Sequence, residues 1–556
     1  MSAKKRRSKQ PVTKPSAAKV AAPSALRLAA GVAIAAITTY LGLGFSLLGA
    51  VVVVPLAVGL LVSVTFEDWR YSAAVAAVGS LLGSILASRQ FSPAGYAAAL
   101  QNMPAYSNPD VLQQLLYGDV IGHIVNSGAF STSGSAALVI IVGTLLAGIA
   151  GAAPGMIGLL KKPAARTTVG WVVTGLAIVS FAVTAWQATP TFRAEIAVPP
   201  ADGQYAYDAH IYLRTYYEMA KGDGYYRSLV RAAAGDKRLI DESGVKNGLF
   251  VTWASSPTLI REPLQFYLWR LVAPNDAVGI FTFSLIACAA VMALLHWALV
   301  RFAGATAAFA SWALWPTLLL ATTWHNIFFP DWWMALALLL SVAFWLRGRL
   351  YPALAAALVA ALFRDVGVLW LLALGVYALV RAVRDRASDR RVPSLAGLAG
   401  AAGSLVLFAG LYWLHLRAGS AVITPNLPAP LTFIGRLQTS AAATLPAKFL
   451  APAEYMMFPY GRFAIPGVAY LIAAPFAWWI AQRRGVERPD MLSTAVLPAY
   501  VVFWVLFTAT VGAASSYWGQ GYMPLTVLGI ASMLAVLAAH PRGNISNPGT
   551  SNAARW

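Results

Sequence analysis

Gln187 to Asp276 is a long, mostly polar segment, and its centre reads Ala201-Asp-Gly-Gln-Tyr-Ala-Tyr-Asp208-Ala-His-Ile-Tyr-Leu-Arg-Thr-Tyr-Tyr-Glu-Met-Ala-Lys-Gly-Asp-Gly-Tyr-Tyr226. Apolar runs of bilayer length flank it at 167–186 and 277–300. The segment therefore reads as a loop held at a membrane surface by the spans on either side. A loop rich in Asp, Tyr and Arg on such a scaffold is where binding and chemistry concentrate.

Composition agrees with that fold class. The chain is 59% hydrophobic and 11% charged, with a mean hydropathy of +0.64. So few charges cannot cover a soluble surface of this size. Repeated apolar runs of roughly 20 residues predict an all-α, polytopic membrane protein. A β-barrel requires short segments alternating apolar and polar, and the sequence has none. The formal charge of +20 comes from Lys and Arg in short inter-helix loops and in the first residues. That is the pattern of cytoplasmic loops facing anionic lipid, and it argues against a nucleic-acid partner.

The single cysteine, Cys288, lies in an apolar run, so neither an intramolecular disulfide nor a cysteine metal site is available. Residues 1–24 form a basic tail (Lys4, Lys5, Arg6, Arg7, Lys9, Lys14, Lys19), too polar for a signal-peptide core. Spans follow at 25–44, 45–66, 70–88, 135–160 and 167–186, the first four making a module over 25–166. Beyond the loop come 277–300, 304–323, 332–346, 350–363, 366–380, 394–416, 463–481, 491–513 and 522–539. By length these make about fourteen spans. A second tail, 541–556, closes the chain.

With the basic tail inside, Lys161, Lys162, Arg166, Arg301, Arg347, Arg349, Arg381–Arg391, Arg483, Arg484 and Arg488 also fall inside. Every strongly basic short loop then obeys the positive-inside rule. The longer connections 89–134, 187–276, 324–331, 417–462 and 514–521 all fall outside, which predicts cytoplasmic termini and an outward-facing site.

Ionisable residues gather at that outer side: Asp208 in the loop, His325 and Asp331 in Trp324-His-Asn-Ile-Phe-Phe-Pro-Asp331, and Arg364 with Asp365 in Phe363-Arg-Asp-Val-Gly367. Charges at a membrane edge need partners or substrate to offset their desolvation. The plainer account is that Arg364 pairs with Asp365 or Asp331, while Trp332 and Trp333 anchor the interface. The sequence has no phosphate loop, no His-Glu-x-x-His and no nucleophile elbow. His296 and His415 fall within spans and read as core residues rather than metal ligands.

In order and topology the chain resembles GT-C fold glycosyltransferases, the membrane class that uses polyprenyl-phosphate sugars. The similar pieces are Asp208-Ala-His-Ile-Tyr212 followed by Glu218 to Tyr226, Arg261-Glu262-Pro263-Leu-Gln-Phe-Tyr267, Pro330-Asp331, and Phe363-Arg364-Asp365-Val-Gly. The resemblance covers 167–540 and leaves 25–166 as an accessory module. It implies transfer of a sugar from a polyprenyl-phosphate donor to a glycan, lipid or protein acceptor in a bacterial cytoplasmic membrane. Asp208 is the implied base, with Asp202 and Asp331 as alternatives. Arg364 is the implied phosphate ligand because a guanidinium stays charged and binds two oxygens; Arg261 and Arg214 are its alternatives. Tyr212, Glu262, His325, Asp365 and Tyr517 are implied substrate contacts. Some members of that class use a divalent cation, but no ligand spacing here demands one. Two rivals remain, a lipid-linked glycan flippase and a ligase that takes a whole glycan from a lipid pyrophosphate.

Overall fold

The computed structural model describes residues 22–42, 54–66, 68–90, 133–157, 163–187, 189–200, 208–234, 262–322, 325–386, 391–421 and 502. Asp202, Arg261, Tyr517 and the expected spans at 463–481, 491–513 and 522–539 lie outside the described residues. The described residues contain helices and no strand. Among the described residues, five helices are long and apolar enough to cross a membrane: Trp69–Arg89, Thr167–Gln187, Ala277–Val300, Asp365–Arg384 and Val392–Ser420. Shorter apolar helices include Ala25–Tyr40, Val54–Ser63, Ala136–Ala152, Pro330–Leu346 and Leu350–Phe363. The described residues thus form an all-α assembly built around helices with the length and composition of membrane spans.

The first group comprises α1 (Ala25–Gly42), α2 (Val54–Thr65), α3 (Trp69–Gln90) and α4 (Ser133–Ile157). Without water to drive association in lipid, helices pack through small side chains that let backbones approach. Here Gly79 and Gly83 of α3 lie on Ala35, Ala36 and Thr39 of α1, so these two helices run parallel. Gly59 of α2 meets Ala150 of α4, and Gly151 of α4 meets Ser72 and Ala76 of α3.

The second group begins with α5 (Pro163–Gln187) and the short α6 (Pro190–Ile196). The polar stretch follows as α7 (Asp208–Ala220), α8 (Tyr225–Ala234) and α9 (Leu264–Val272). Apolar helices α10 (Ala277–Ala303), α11 (Ala308–Thr322), α12 (Pro330–Leu346), α13 (Leu350–Phe363), α14 (Val368–Arg384) and α15 (Arg391–Ser420) complete it. Their boundaries have local causes. The Asp276 side chain accepts from Val278 N at 2.9 Å and caps α10. Pro330 starts α12, where its missing N–H costs nothing. Gly348, at φ +72°, makes the reversal into α13 that a side chain would strain.

Contacts fix which helix ends lie together. At one end Phe281 of α10 meets Trp186 of α5 and Phe192 of α6, while Tyr226 of α8 bonds His415 of α15. At the other, Arg347 lies 4.2 Å from the centre of the Trp297 ring, and Asp385 accepts from Ser394 Oγ at 2.7 Å. That hydrogen bond, opposed by burial but helped by Arg381 and Arg384, holds the Asp385 carboxyl below its ordinary range. The long loop, the His325 turn and the Arg364 break therefore share one end of the helices, and the basic turns of α12 to α15 share the other.

Candidate functional site

Helix α7 lies across the loop end because its two sides find different partners. Toward α6, His210 Nε2 is 3.3 Å from Glu195 Oε1, Tyr217 donates to Ile196 O at 2.8 Å, and Arg214 Nη1 donates to Pro200 O at 2.9 Å. Toward α9, Tyr212 meets the ring of Phe266 at 6.1 Å and Tyr216 that of Trp269 at 6.2 Å. Tyr212 also stands edge-on to Phe329 at 5.8 Å, joining the polar loop to the start of α12. Each such aromatic pair adds ~0.5–1.5 kcal/mol beyond its burial.

The far end of α7 is held by charge. Glu218 is buried, and Arg214 Nε and Lys221 Nζ each approach its Oε1 at 2.8 Å, with Arg231 Nη1 at 3.6 Å from Oε2. Burial pushes this carboxyl up, but the Lys221 hydrogen bond and the three cations outweigh it and hold it below its ordinary value of 4.5. Arg231 reaches Asp223 as well, closing the α7–α8 hairpin. Arg214, expected as an alternative phosphate ligand, is thus engaged with Glu218 and the Pro200 carbonyl.

The Arg364 break is built differently. Arg364 ends α13 in extended conformation (φ −154°, ψ 125°) and precedes the 3-10 turn Asp365–Gly367. The turn presses so closely on α13 that a Cβ at Gly367 would lie 2.8 Å from the Ala360 carbonyl oxygen. Asp365 spends its carboxylate on the turn, accepting from Val366 N at 2.9 Å. Arg364 instead turns to α12, where its Nε donates to Asp331 Oδ1 at 3.2 Å. Both residues are buried, at 7% and 2% exposure. Asp331 sits in the first turn of α12, where the helix dipole favours a carboxylate.

One edge of the guanidinium is satisfied by this pair, but Nη1 is buried and makes no hydrogen bond. A buried polar group without a partner costs ~1–3 kcal/mol, and more when charged. Chemically, the arrangement presents a fixed positive edge to an anionic oxygen, backed by a carboxylate that prevents the guanidinium from turning away.

Two residues that sequence reasoning did not single out lie on α9, which aromatic contacts link to the same ends of α12 and α13. Gln265 Oε1 and Trp269 Nε1, one turn apart on the buried side of α9, also make no hydrogen bond. Trp269 touches Phe328 at 5.7 Å and Trp333 at 6.4 Å; Trp333 in turn lies 6.3 Å from Phe363, the neighbour of Arg364. No local sequence signal marks these residues, since the lack of a partner is a property of the assembled fold.

The remaining candidates fall as follows. Asp208 is the first residue of α7, one turn from Tyr212, which is buried. Glu262 is buried at the entry to α9, near Tyr226, whose hydroxyl is pushed up to about 12 by burial and then by Tyr267 and Glu262. His325 opens the 3-10 turn His325–Phe328 at the same end. The structure therefore pairs Asp331 with Arg364 at the same end as Tyr212, whose ring meets Phe329 two residues before Asp331, with Asp208 a turn away. Among the described residues, no group of three His, Cys, Asp or Glu side chains could hold a metal ion. Comparison with known protein families, with curated proteins and with solved structures finds no match.

Proposed function

We propose that the chain is a membrane glycosyltransferase of GT-C type. It moves a sugar from a polyprenyl-phosphate donor to a glycan, lipid or protein acceptor. The observation that carries this is the buried Arg364, held by Asp331 along one edge and lacking any partner at Nη1, at the same end as the amphipathic helix that Asp208 opens. A lipid phosphate reaches such a site from the membrane edge, and its oxygens complete the guanidinium's hydrogen bonds. In the reaction the acceptor hydroxyl oxygen attacks the anomeric carbon while the bond from that carbon to the phosphate oxygen breaks. The hydroxyl proton passes to Asp208, and the polyprenyl phosphate leaves with its charge against Arg364.

On the same reading the protein has about fourteen spans. It lies in a bacterial cytoplasmic membrane with both termini inside and the α7–α9 end outside. The basic turns at the opposite end support that orientation. With buried Cys288 replaced by alanine, Lys221→Cys should label with an impermeant thiol reagent in intact cells and Arg386→Cys should not. Labelling of the second position alone reverses the orientation.

The activity itself is tested on purified full-length protein in lipid nanodiscs. It is given radiolabelled polyprenyl-phosphate sugars and an extract of envelope glycans and lipids. Label should pass from donor to acceptor, and Arg364→Ala should abolish the transfer. No transfer from any polyprenyl-phosphate hexose or pentose, with the donors bound no better than neutral polyprenol, removes the proposal.

A further inference from the structure

We infer that Gln265 and Trp269 form a hydroxyl-binding subsite that takes the sugar of the lipid-phosphate donor, an inference resting on the reading of Arg364 given above. Three other buried tryptophans spend their N–H groups: Trp332 on Ser284 Oγ at 3.0 Å, Trp333 on Ile327 O at 2.8 Å, and Trp370 on Ser341 Oγ at 2.9 Å. Trp269 is as fully buried as Trp332 and Trp370, yet its N–H is unspent. Buried Trp N–H groups usually find a partner, so an orphan asks for an explanation.

Gln265 lies four residues earlier, on the same side of the helix, and supplies the opposite polarity. Its Nε2 donates to Phe328 O at 3.4 Å, which leaves Oε1 as an acceptor without a donor. One orphan acceptor and one orphan donor a helical turn apart match groups that both donate and accept, and a sugar presents such groups on adjacent carbons. An ionised phosphate only accepts, so it would be repelled by Oε1, and an acyl chain would leave both atoms unpaired. The Phe266 and Phe328 rings pack on Trp269 at 5.1 and 5.7 Å and are themselves buried, so a sugar reaches the two polar atoms as these rings part, its C–H faces then meeting apolar surface. Helix α9 is a surface helix, with Leu271 80% exposed, and the Gln265 bond to Phe328 is at the long limit for a hydrogen bond. An entering sugar thus has one weak bond to replace.

The test compares full-length wild type with Trp269→Phe, which keeps an aromatic ring but removes the N–H, and Gln265→Met, which keeps the length. Each is titrated in nanodiscs with bare polyprenyl phosphate, polyprenyl-phosphate hexose and polyprenyl-phosphate pentose. Wild type should bind one of the sugar lipids more tightly than the bare phosphate. Each variant should lose about tenfold of that sugar-dependent gain, the usual effect of one hydrogen bond. Affinity for the bare phosphate should not change. Equal affinity for bare and sugar-bearing lipids in wild type overturns the inference, as does an unchanged sugar gain in both variants. Arg364→Ala separates the two readings. If it leaves binding of bare polyprenyl phosphate intact, the phosphate reading fails; if it abolishes that binding while the sugar gain ignores Gln265 and Trp269, only the subsite fails.

Discussion

Glu218 and Arg364 are both buried charges at the loop end, yet their surroundings differ in kind. Around Glu218, Arg214, Lys221 and Arg231 converge on one carboxylate, and Lys221 and Arg231 keep more than half of their side chains in water. Around Arg364 the Asp331 carboxylate meets the guanidinium, both residues are buried, and one guanidinium nitrogen remains without a partner. A saturated network with solvated cations holds a hairpin together. An unsaturated one, at the break between two apolar helices, is what the proposed phosphate site rests on.

The strongest way to break this comparison is to remove the proposed base and a holding residue in parallel. Asp208→Asn should cut turnover by roughly two to four powers of ten while leaving donor binding near normal, because the loss is confined to proton transfer. Glu218→Gln should lower turnover far less. Transfer and binding measured on both variants decide it, and equal losses erase the distinction between holding and reacting groups.

Arg364 carries the next largest effect. Arg364→Ala breaks the buried ion pair with Asp331 and should destabilise the protein, by up to about 3–5 kcal/mol. Arg364→Lys retains charge but not the planar fork, and should weaken binding of polyprenyl phosphate by about tenfold or more. If the lysine variant binds the lipid as wild type does, Arg364 is only the structural partner of Asp331.

Acid should act on the other member of the comparison. Glu218 is held below its ordinary value of 4.5 when folded, so the stability it contributes is complete above that pH. It is lost as pH falls through the lower folded value. Limited proteolysis between α7 and α8 should therefore accelerate below pH 4.5 in wild type. Glu218→Gln should cleave faster at neutral pH and show less added acid sensitivity; a profile parallel to wild type shows that another group titrates.

The smallest effect belongs to the exposed cations. Lys221→Ala removes a side chain 62% exposed to solvent and should cost less than ~1 kcal/mol in thermal melting, since Arg214 and Arg231 remain. A larger loss makes the network a chain of dependent pairs rather than a redundant cluster.

Much of the helical layout was legible without coordinates because apolar length and turn chemistry are local. The expected span 350–363 coincides with α13, and 277–300 begins where Asp276 caps α10. Expected 366–380 is the longer α14, which continues to Arg384 because the basic residues in its last turn favour the helix C-terminus. The gathering of Asp331 and Arg364 at the loop end was also readable, since alternating direction of short-linked helices brings every second turn to one side.

Pairing was not readable. Arg364 had an acid beside it in Asp365 and another 33 residues away in Asp331, and sequence offered no choice between them. The tight turn at Gly367 commits Asp365 to the Val366 N–H and sends the guanidinium to Asp331. Arg214, equally basic in the sequence, is spent on Glu218 and Pro200 because helical spacing puts Glu218 one turn away. Gln265 and Trp269 read as ordinary members of a short amphipathic helix until the fold leaves their polar atoms buried without partners. Hydropathy and capping act over a few residues and so are written locally. Whether a buried polar atom finds its complement depends on side chains brought together from distant segments, which the packed helices alone decide.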